Sequence, residues 1–266
     1  MPEQPTIWPV RLTAWLLVGF IILPFLVVIP VSLTDQDFLS LPQHGLSLDH
    51  YRELFADGDW LAAFARSAVI AAFAMALAVV VGGLAAFGCW RLPPASARWV
   101  QAVMLAPLVI PTIIQGLAYY RLWVDLGLVN TYAGVVLAHA VMATPFVFIT
   151  VSAALSNVDP RLEMAARGLG AGALRTMAWV LAPIVAPGLL SGALFAFVQS
   201  FDELVVVLFI TTRGLDTLPK KMWMSLQDDL TPVIACVSVA LGALTLALLL
   251  LEFALRARGD RIVRAA

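Results

Sequence analysis

The sequence predicts an all-α, polytopic membrane protein with six transmembrane helices in one domain, and three observations carry that reading. The 266 residues are 62% hydrophobic and 12% charged, whereas a soluble domain is about 45–50% apolar and about 25% charged. Mean hydropathy is +0.94, so a compact soluble fold would have to expose large apolar patches, which soluble monomers avoid. The apolar residues also fall in six stretches, each near the roughly 20 residues that cross a hydrocarbon core of about 30 Å. Lipid offers backbone groups no partner, so these stretches should be helical.

The first stretch, 12–33, follows Arg11. It is longer than the roughly 7–15 residues of a secretion-signal core, and no small-x-small cleavage site precedes the polar segment, so it reads as an anchor. The second to fourth are 68–90, 100–120 and 133–155. The fifth, 181–210, is too long for a straight span and should break near Pro187-Gly188 or near Asp202-Glu203. The sixth is 233–255. Pro107, Pro111 and Pro145 are expected to bend their helices, which is tolerated where neighbours satisfy the freed carbonyls. Cys89 and Cys236 lie in apolar stretches without a CxxC or polar context, so they read as packing residues, not a disulfide or metal pair.

Basic residues set the orientation. With the N-terminus inside, the inner segments hold Arg11, Arg91, Arg98, Arg161, Arg167, Arg175, Arg256, Arg258, Arg261 and Arg264. The outer ones hold only Arg52, Arg66, Arg121, Arg213, Lys220 and Lys221. Both termini are therefore expected in the cytoplasm. The net charge of −1 gives no footprint for nucleic acid.

The inner segment 156–180 is unlike the other loops. Asp159-Pro160 is a helix start, an acceptor followed by proline at the first helical position. Residues 161–167 can form about two turns, ended by Gly168 or Gly170. Ala165, Ala166, Gly168 and Gly170 leave one side almost bare, so another protein could approach the backbone, with arginines meeting its acidic groups. Composition alone equally allows a short helix lying on lipid headgroups.

This segment resembles the cytoplasmic signature of the permease subunits of binding-protein-dependent ABC importers: Glu-Ala-Ala, three residues, Gly, nine residues, Ile-x-Leu-Pro. Anchored on Gly170, the alanines are Ala165 and Ala166, and Val180, Ala182 and Pro183 take the Ile, Leu and Pro places. Met164 stands where the family has glutamate, and Glu163 is one residue early, a turn of roughly 100° around a helix. The resemblance covers nearly the whole chain and is closest to the second permease subunits of spermidine/putrescine-type importers. It includes Ala106-Pro-Leu-Val-Ile-Pro111, Ser200-Phe-Asp-Glu-Leu-Val-Val-Val207, Leu218-Pro-Lys-Lys-Met-Trp223 and Leu230-Thr-Pro232. It implies the fold of type I ABC importer permeases, in the bacterial inner membrane. Glu163, Met164, Ala165, Ala166, Arg167, Gly168, Gly170 and Pro183 would form a coupling helix and its connection, seated on a separate ATPase. The implied partners are a second, distinct permease, two ATP-binding subunits and a soluble substrate-binding protein. The outer acidic segment 34–60 would be part of the surface that docks the last of these.

ATP chemistry belongs elsewhere on this reading. A P-loop needs Gly-Lys before Ser or Thr, and the only lysines, Lys220 and Lys221, do not follow glycine. The chain is thus expected to be non-catalytic and to bind no cofactor, ATP and Mg being held by the partner. Asp202 and Glu203 are candidates for the substrate pathway, because a carboxylate in a span costs about 2.5–3.5 kcal/mol on insertion scales and usually faces a cavity. A cationic polyamine would be stabilised by them and by the faces of Phe201, Trp223, Tyr119, Tyr120 and Trp123. The alternative is that the acidic pair sits in water at the outer end of the span, or meets an arginine of the partner. His139 reads as a neutral packing residue rather than a proton relay. Iron, thiamine and phosphonate permeases share parts of these motifs. An ion-coupled secondary transporter using Asp202, Glu203 and His139 is the more distant alternative, disfavoured by the lack of repeated halves.

Overall fold

The computed structural model describes residues 8–212, 214–228 and 230–265, with side chains as far as residue 250 except Pro9 and Leu248. The described residues are helices and connecting turns: α1 (Trp8–Ser32), α2 (Asp49–Ala56), α3 (Gly58–Arg91), α4 (Pro94–Val109), α5 (Thr112–Leu126) and α6 (Tyr132–Ser156). They continue as α7 (Pro160–Gly168), α8 (Ala173–Thr176), a π-helical turn (Met177–Leu181), α9 (Ala182–Phe201), α10 (Val205–Ile210), α11 (Leu218–Asp228) and α12 (Val233–Ala265).

Among the described residues, four helices are long and apolar enough to cross a membrane: Val10–Ser32, Gly58–Arg91, Tyr132–Ser156 and Ala173–Phe201. The described apolar part of α12, Val233–Ala247, is shorter. The remaining expected span, 100–120, is not one straight helix: α4 and α5 are apolar and long enough only as a pair, and they meet at a 103° bend. Its cause is local. Pro111 has no N–H to give the carbonyl of Pro107, and Ile114 turns to Pro111 O instead of Ile110 O. Both abandoned carbonyls are taken by one side chain, Gln115, whose Nε2 donates to Pro107 O and Ile110 O at 2.8 Å each. Pro107 and Pro145, also expected to bend their helices, lie within the uninterrupted α4 and α6.

The fifth apolar stretch breaks at 202–204, between α9 and α10, and not at Pro187, which lies inside α9. At its other end, helix runs without interruption from Ala173 through the π turn to Phe201, 29 residues. Pro183 therefore lies within that helix.

The chain forms two compact units. One comprises Met1–Leu61 and Met222–Leu246. Here Cys236 Sγ lies 3.3 Å from Ser32 O, and the Ser32 hydroxyl is 2.8 Å from the Tyr51 hydroxyl. After α1 the chain closes a small loop on Asp35. Its carboxylate accepts from Gln43 N at 2.9 Å, His44 N at 3.2 Å and Gln36 Nε2 at 3.0 Å, and meets His44 Nδ1 at 2.9 Å. These donors, the Gln43 amide foremost, hold the Asp35 carboxyl well below the usual carboxylate range. Asp49 is lowered too, first by the Ser47 hydroxyl and then by Arg52, 2.8 Å away.

The other unit comprises Ala62–Lys221 and Ala247–Ala266. Its core is α6, which is apolar around most of its circumference and packs on α3, α4 and α9. Val147, Phe148, Val151 and Leu155 of α6 meet Ala78 and Ala86 of α3 and Val185 and Ala196 of α9. The α6–α9 contact is close because Gly192 has no side chain: a Cβ there would land on Thr150 Oγ1 and 2.8 Å from Val147 Cα. A second cluster joins Ile70, Trp123, Val135, Ala138, Val206 and Ile210.

Candidate functional site

The segment between α6 and α9 is built from local signals. Asp159 caps α7, its Oδ1 accepting from Arg161 N at 2.9 Å, and Pro160 occupies the first helical position. The C-terminus closes on Gly170, whose φ of +86° is easy only for glycine. Gly170 N donates to Arg167 O and Ala171 N to Ala166 O, both at 3.0 Å, the paired bonds of a Schellman ending. The chain then turns at Gly172 and re-enters helix at Ala173.

Helix α7 has an inward and an outward side. Glu163 and Ala166 are half-buried, whereas Leu162, Met164, Ala165, Arg167 and Gly168 are exposed. Met164, in the place of the signature glutamate, is 64% exposed. Glu163 points the other way, to Arg91 at the end of α3, with Oε1 2.7 Å from Nη2. Beside Gly170 is an open cleft of about 570 Å³, lined by Gly170, Gly172, Ala173, Leu174 and Arg175. Leu169 and Leu174 are exposed next to it. The segment thus combines small residues, exposed apolar side chains and arginines on one surface.

The acidic pair occupies the break between α9 and α10, and its two members differ. Glu203 is buried, and its Oε1 accepts from Val206 N at 2.9 Å, capping the first turn of α10. Asp202 is exposed. Phe201 lies beside it, buried between Phe197 and Phe64, with ring centroids 5.7 and 5.6 Å away. Of the other aromatic candidates, Tyr120 is exposed and Tyr119 half-buried. Trp123 is a core residue: its indole Nε1 donates to Gly134 O at 2.9 Å, and its ring packs in the second cluster. Trp223 is 41% exposed in the other unit. His139 is buried, with Nδ1 2.8 Å from Ser200 Oγ, a contact between α6 and α9.

Another well-anchored segment follows α10. Asn130 N donates to Ile210 O and Thr212 N to Asn130 Oδ1. Arg66 Nη1 reaches Gly214 O and Asp216 O, and Ser67 Oγ accepts from Leu218 N. Lys220 is buried, its Nζ donating to Thr211 Oγ1 and Thr212 O. Asp216 Oδ1 is 2.9 Å from that Nζ, though out of line for a hydrogen bond. Arg213 and Asp229 lie outside the described residues, as do the side chains of Arg256, Arg258, Arg261 and Arg264.

Residues 78–264 match the family described as the binding-protein-dependent transport system inner membrane component. The chain belongs to that family. Similar proteins include the putrescine transport system permease protein PotI of Escherichia coli K12, 31% identical over 88% of each chain. The spermidine/putrescine permease PotC of Haemophilus influenzae is 26% identical over 88% of this chain and 91% of its own. A crystallised bacterial ABC transporter for alginate import has the same fold, with TM-score 0.68 at 13% identity, covering 96% of this chain and 98% of that one. The chain is thus a multi-pass ABC importer permease, working with a substrate-binding protein. An ion-coupled secondary carrier is set aside by that membership.

Two residues of this permease escaped sequence reading as interaction residues. Gln115 was visible as a lone amide in an apolar stretch, four residues after Pro111. Arg91 was read only as a topology marker, and no sequence signal names a partner 72 positions away.

Proposed function

We propose that this permease forms part of the translocation pathway for small organic polycations of the spermidine and putrescine class. The observation that carries the substrate is the exposed carboxylate of Asp202, at the helix break that ends the membrane-crossing helix Ala173–Phe201 and beside the aromatic group around Phe201. The names of the relatives PotI and PotC support it. Asp202 would meet an ammonium group directly. Glu203 would act behind it by capping α10. Tyr119, Tyr120 and Trp223 remain aromatic candidates, whereas the satisfied indole of Trp123 assigns it to the scaffold. The segment 156–180, with Met164, Ala165, Arg167, Gly168 and Gly170 on its accessible surface and Ala166 half-buried behind them, would seat an ATPase, and Pro183 lies in the helix that continues from it.

The complete assembly on this reading is a pair of distinct permeases, two ATP-binding subunits inside and a binding protein outside, with both termini of this chain cytoplasmic. The chain itself would catalyse nothing. ATP and Mg would be bound by the partner, because no glycine precedes either lysine.

Uptake of radiolabelled spermidine and putrescine by cells carrying the complete system tests the substrate. Asp202→Asn should lose most of the transport while still assembling with its partners. Unchanged uptake of both amines would remove the polyamine reading. Gly170→Asp adds charge and a side chain at φ +86° and should abolish ATPase co-purification. Retention of the ATPase would remove the coupling role of this loop.

A further inference from the structure

The Arg91–Glu163 ion pair joins α7 to α3, and its role as a transmission link rests on the reading that α7 seats an ATPase. In the signature of its family the glutamate is one place later, at the position of Met164. A shift of one residue turns a helical side chain by about 100°, and the structure has the corresponding consequence. Met164 faces out, while Glu163 is on the inward side with its carboxylate 2.7 Å from the guanidinium of Arg91.

We propose that Arg91 is a positioning residue for transport: through Glu163 it ties the ATPase-facing helix to the inner end of α3. The rest of α7 packs on α8 and the π turn, which lead into α9. The ion pair adds a second attachment, from α7 to a different membrane-crossing helix. Its location favours this role. Arg91 is the last residue of α3, followed by Leu92-Pro93-Pro94, so the link grips the helix at its terminus. The Glu163 side chain is 14% exposed and that of Arg91 33%, so the pair is partly withdrawn from water and less screened than a surface pair. Movement of α7 on closure of the ATPase would reach α3 as well as α9. The outward surface at this point is correspondingly apolar, presenting a thioether where the family presents a carboxylate.

The test uses the permease purified with its partner permease and ATPase, with Cys89 and Cys236 replaced by serine. Spin labels on Leu92→Cys and Arg161→Cys, both exposed positions, report the distance from the end of α3 to α7 with and without ATP. No substrate is needed. In the parent complex the distance distribution should stay narrow through both states. Arg91→Ala should keep ATPase co-purification but broaden the distribution. It should also lower ATP hydrolysis stimulated by the loaded binding protein by roughly fivefold or more, the lower range of allosteric couplings. The exchanged pair Arg91→Glu with Glu163→Arg should recover the narrow distribution and most of the stimulation.

A narrow distribution and undiminished stimulation in Arg91→Ala would overturn the proposal. So would an exchanged pair no better than the single changes, since that outcome assigns each residue a separate role. If Arg91→Ala fails to assemble, assembly becomes the readout, and failure of the exchanged pair to restore it is equally adverse. Absence of ATPase co-purification from the unsubstituted, unlabelled complex would instead refute the seating of the ATPase on α7, a distinguishable result.

Discussion

At the scale of single residues, direction matters more than identity. Asp202 and Glu203 are neighbours with the same charge, yet one is exposed and the other has its oxygen committed to the backbone of α10. Asp35 is another committed carboxylate, holding the loop after α1 through the Gln43 and His44 amides. Its folded pKa is lowered, so its contribution is fully present above the unfolded value of about 3.8 and is lost as pH falls below it. Hydrogen exchange at the Gln43 and His44 amides should therefore be unaffected by pH between 7 and 5, once the intrinsic pH dependence is removed, and protection should fall below about pH 4. Asp35→Asn should lower protection at pH 7 to the acid level; equal protection in the variant would show that the carboxylate does not hold the loop. The sequence marked 34–60 only as acidic and outward. That this acid turns its charge to its own loop depends on which amides the turn presents, which composition does not encode.

At the scale of elements, the apolar stretches and the α7 start were legible because their causes are local. A hydrophobic run needs no knowledge of its neighbours, and Asp159-Pro160 caps a helix by spacing alone. The break between α4 and α5 was only partly legible. Pro107, Pro111, Pro145 and Pro187 look alike in sequence, but only Pro111 lies at a 103° bend. The difference is Gln115, whose amide reaches back to both stranded carbonyls. Gln115→Leu should destabilise the permease in detergent by about 1–3 kcal/mol for each carbonyl left without a donor. Gln115→Glu is the sharper comparison, since it keeps the shape but sets carboxylate oxygens against carbonyl oxygens. At neutral pH its melting temperature should be as low as that of the leucine variant, rising on acidification as the carboxyl regains a proton to donate. A glutamate variant as stable as wild type would mean that packing, not donation, holds the bend. The anchoring of Trp123 was illegible for a related reason: its acceptor, Gly134 O, belongs to the following helix.

At the scale of the whole molecule, contacts distant in sequence sort the larger unit into two ends. Near one end of α3, Arg66 meets the backbone of 214–216, the segment that Asn130 also anchors. At its other end Arg91 meets Glu163. Segments assigned to the same side by counting basic residues are therefore the ones that touch. The absolute orientation can be tested with cysteines in the background lacking Cys89 and Cys236. Leu46→Cys and Leu174→Cys are both at exposed positions. A membrane-impermeant maleimide should label the first in intact cells and the second only after permeabilisation. The reverse pattern would invert the topology. The wider fold was legible because every crossing must satisfy its backbone internally, whereas on the proposed reading the choice of cargo would depend on a few side chains at one helix break.

The π turn at Met177–Leu181 sets the phase of an otherwise continuous helix. From Ala173 to Phe201 the chain is a rod of roughly 44 Å at α-helical rise, with one wide turn near the end that leads to α7. Such a turn accommodates an extra residue without interrupting the helix. Deleting Trp179, which is 80% exposed, should let the rod close into regular α-helix with its apolar length almost unchanged. Because the wide turn has already absorbed that residue, α8 would keep its direction relative to α9, whereas removing one residue from the regular helix beyond it would turn α8 by about 100°. The wide turn is the slack in the linkage: shortening the rod there leaves its timing intact, and shortening it elsewhere puts the timing out.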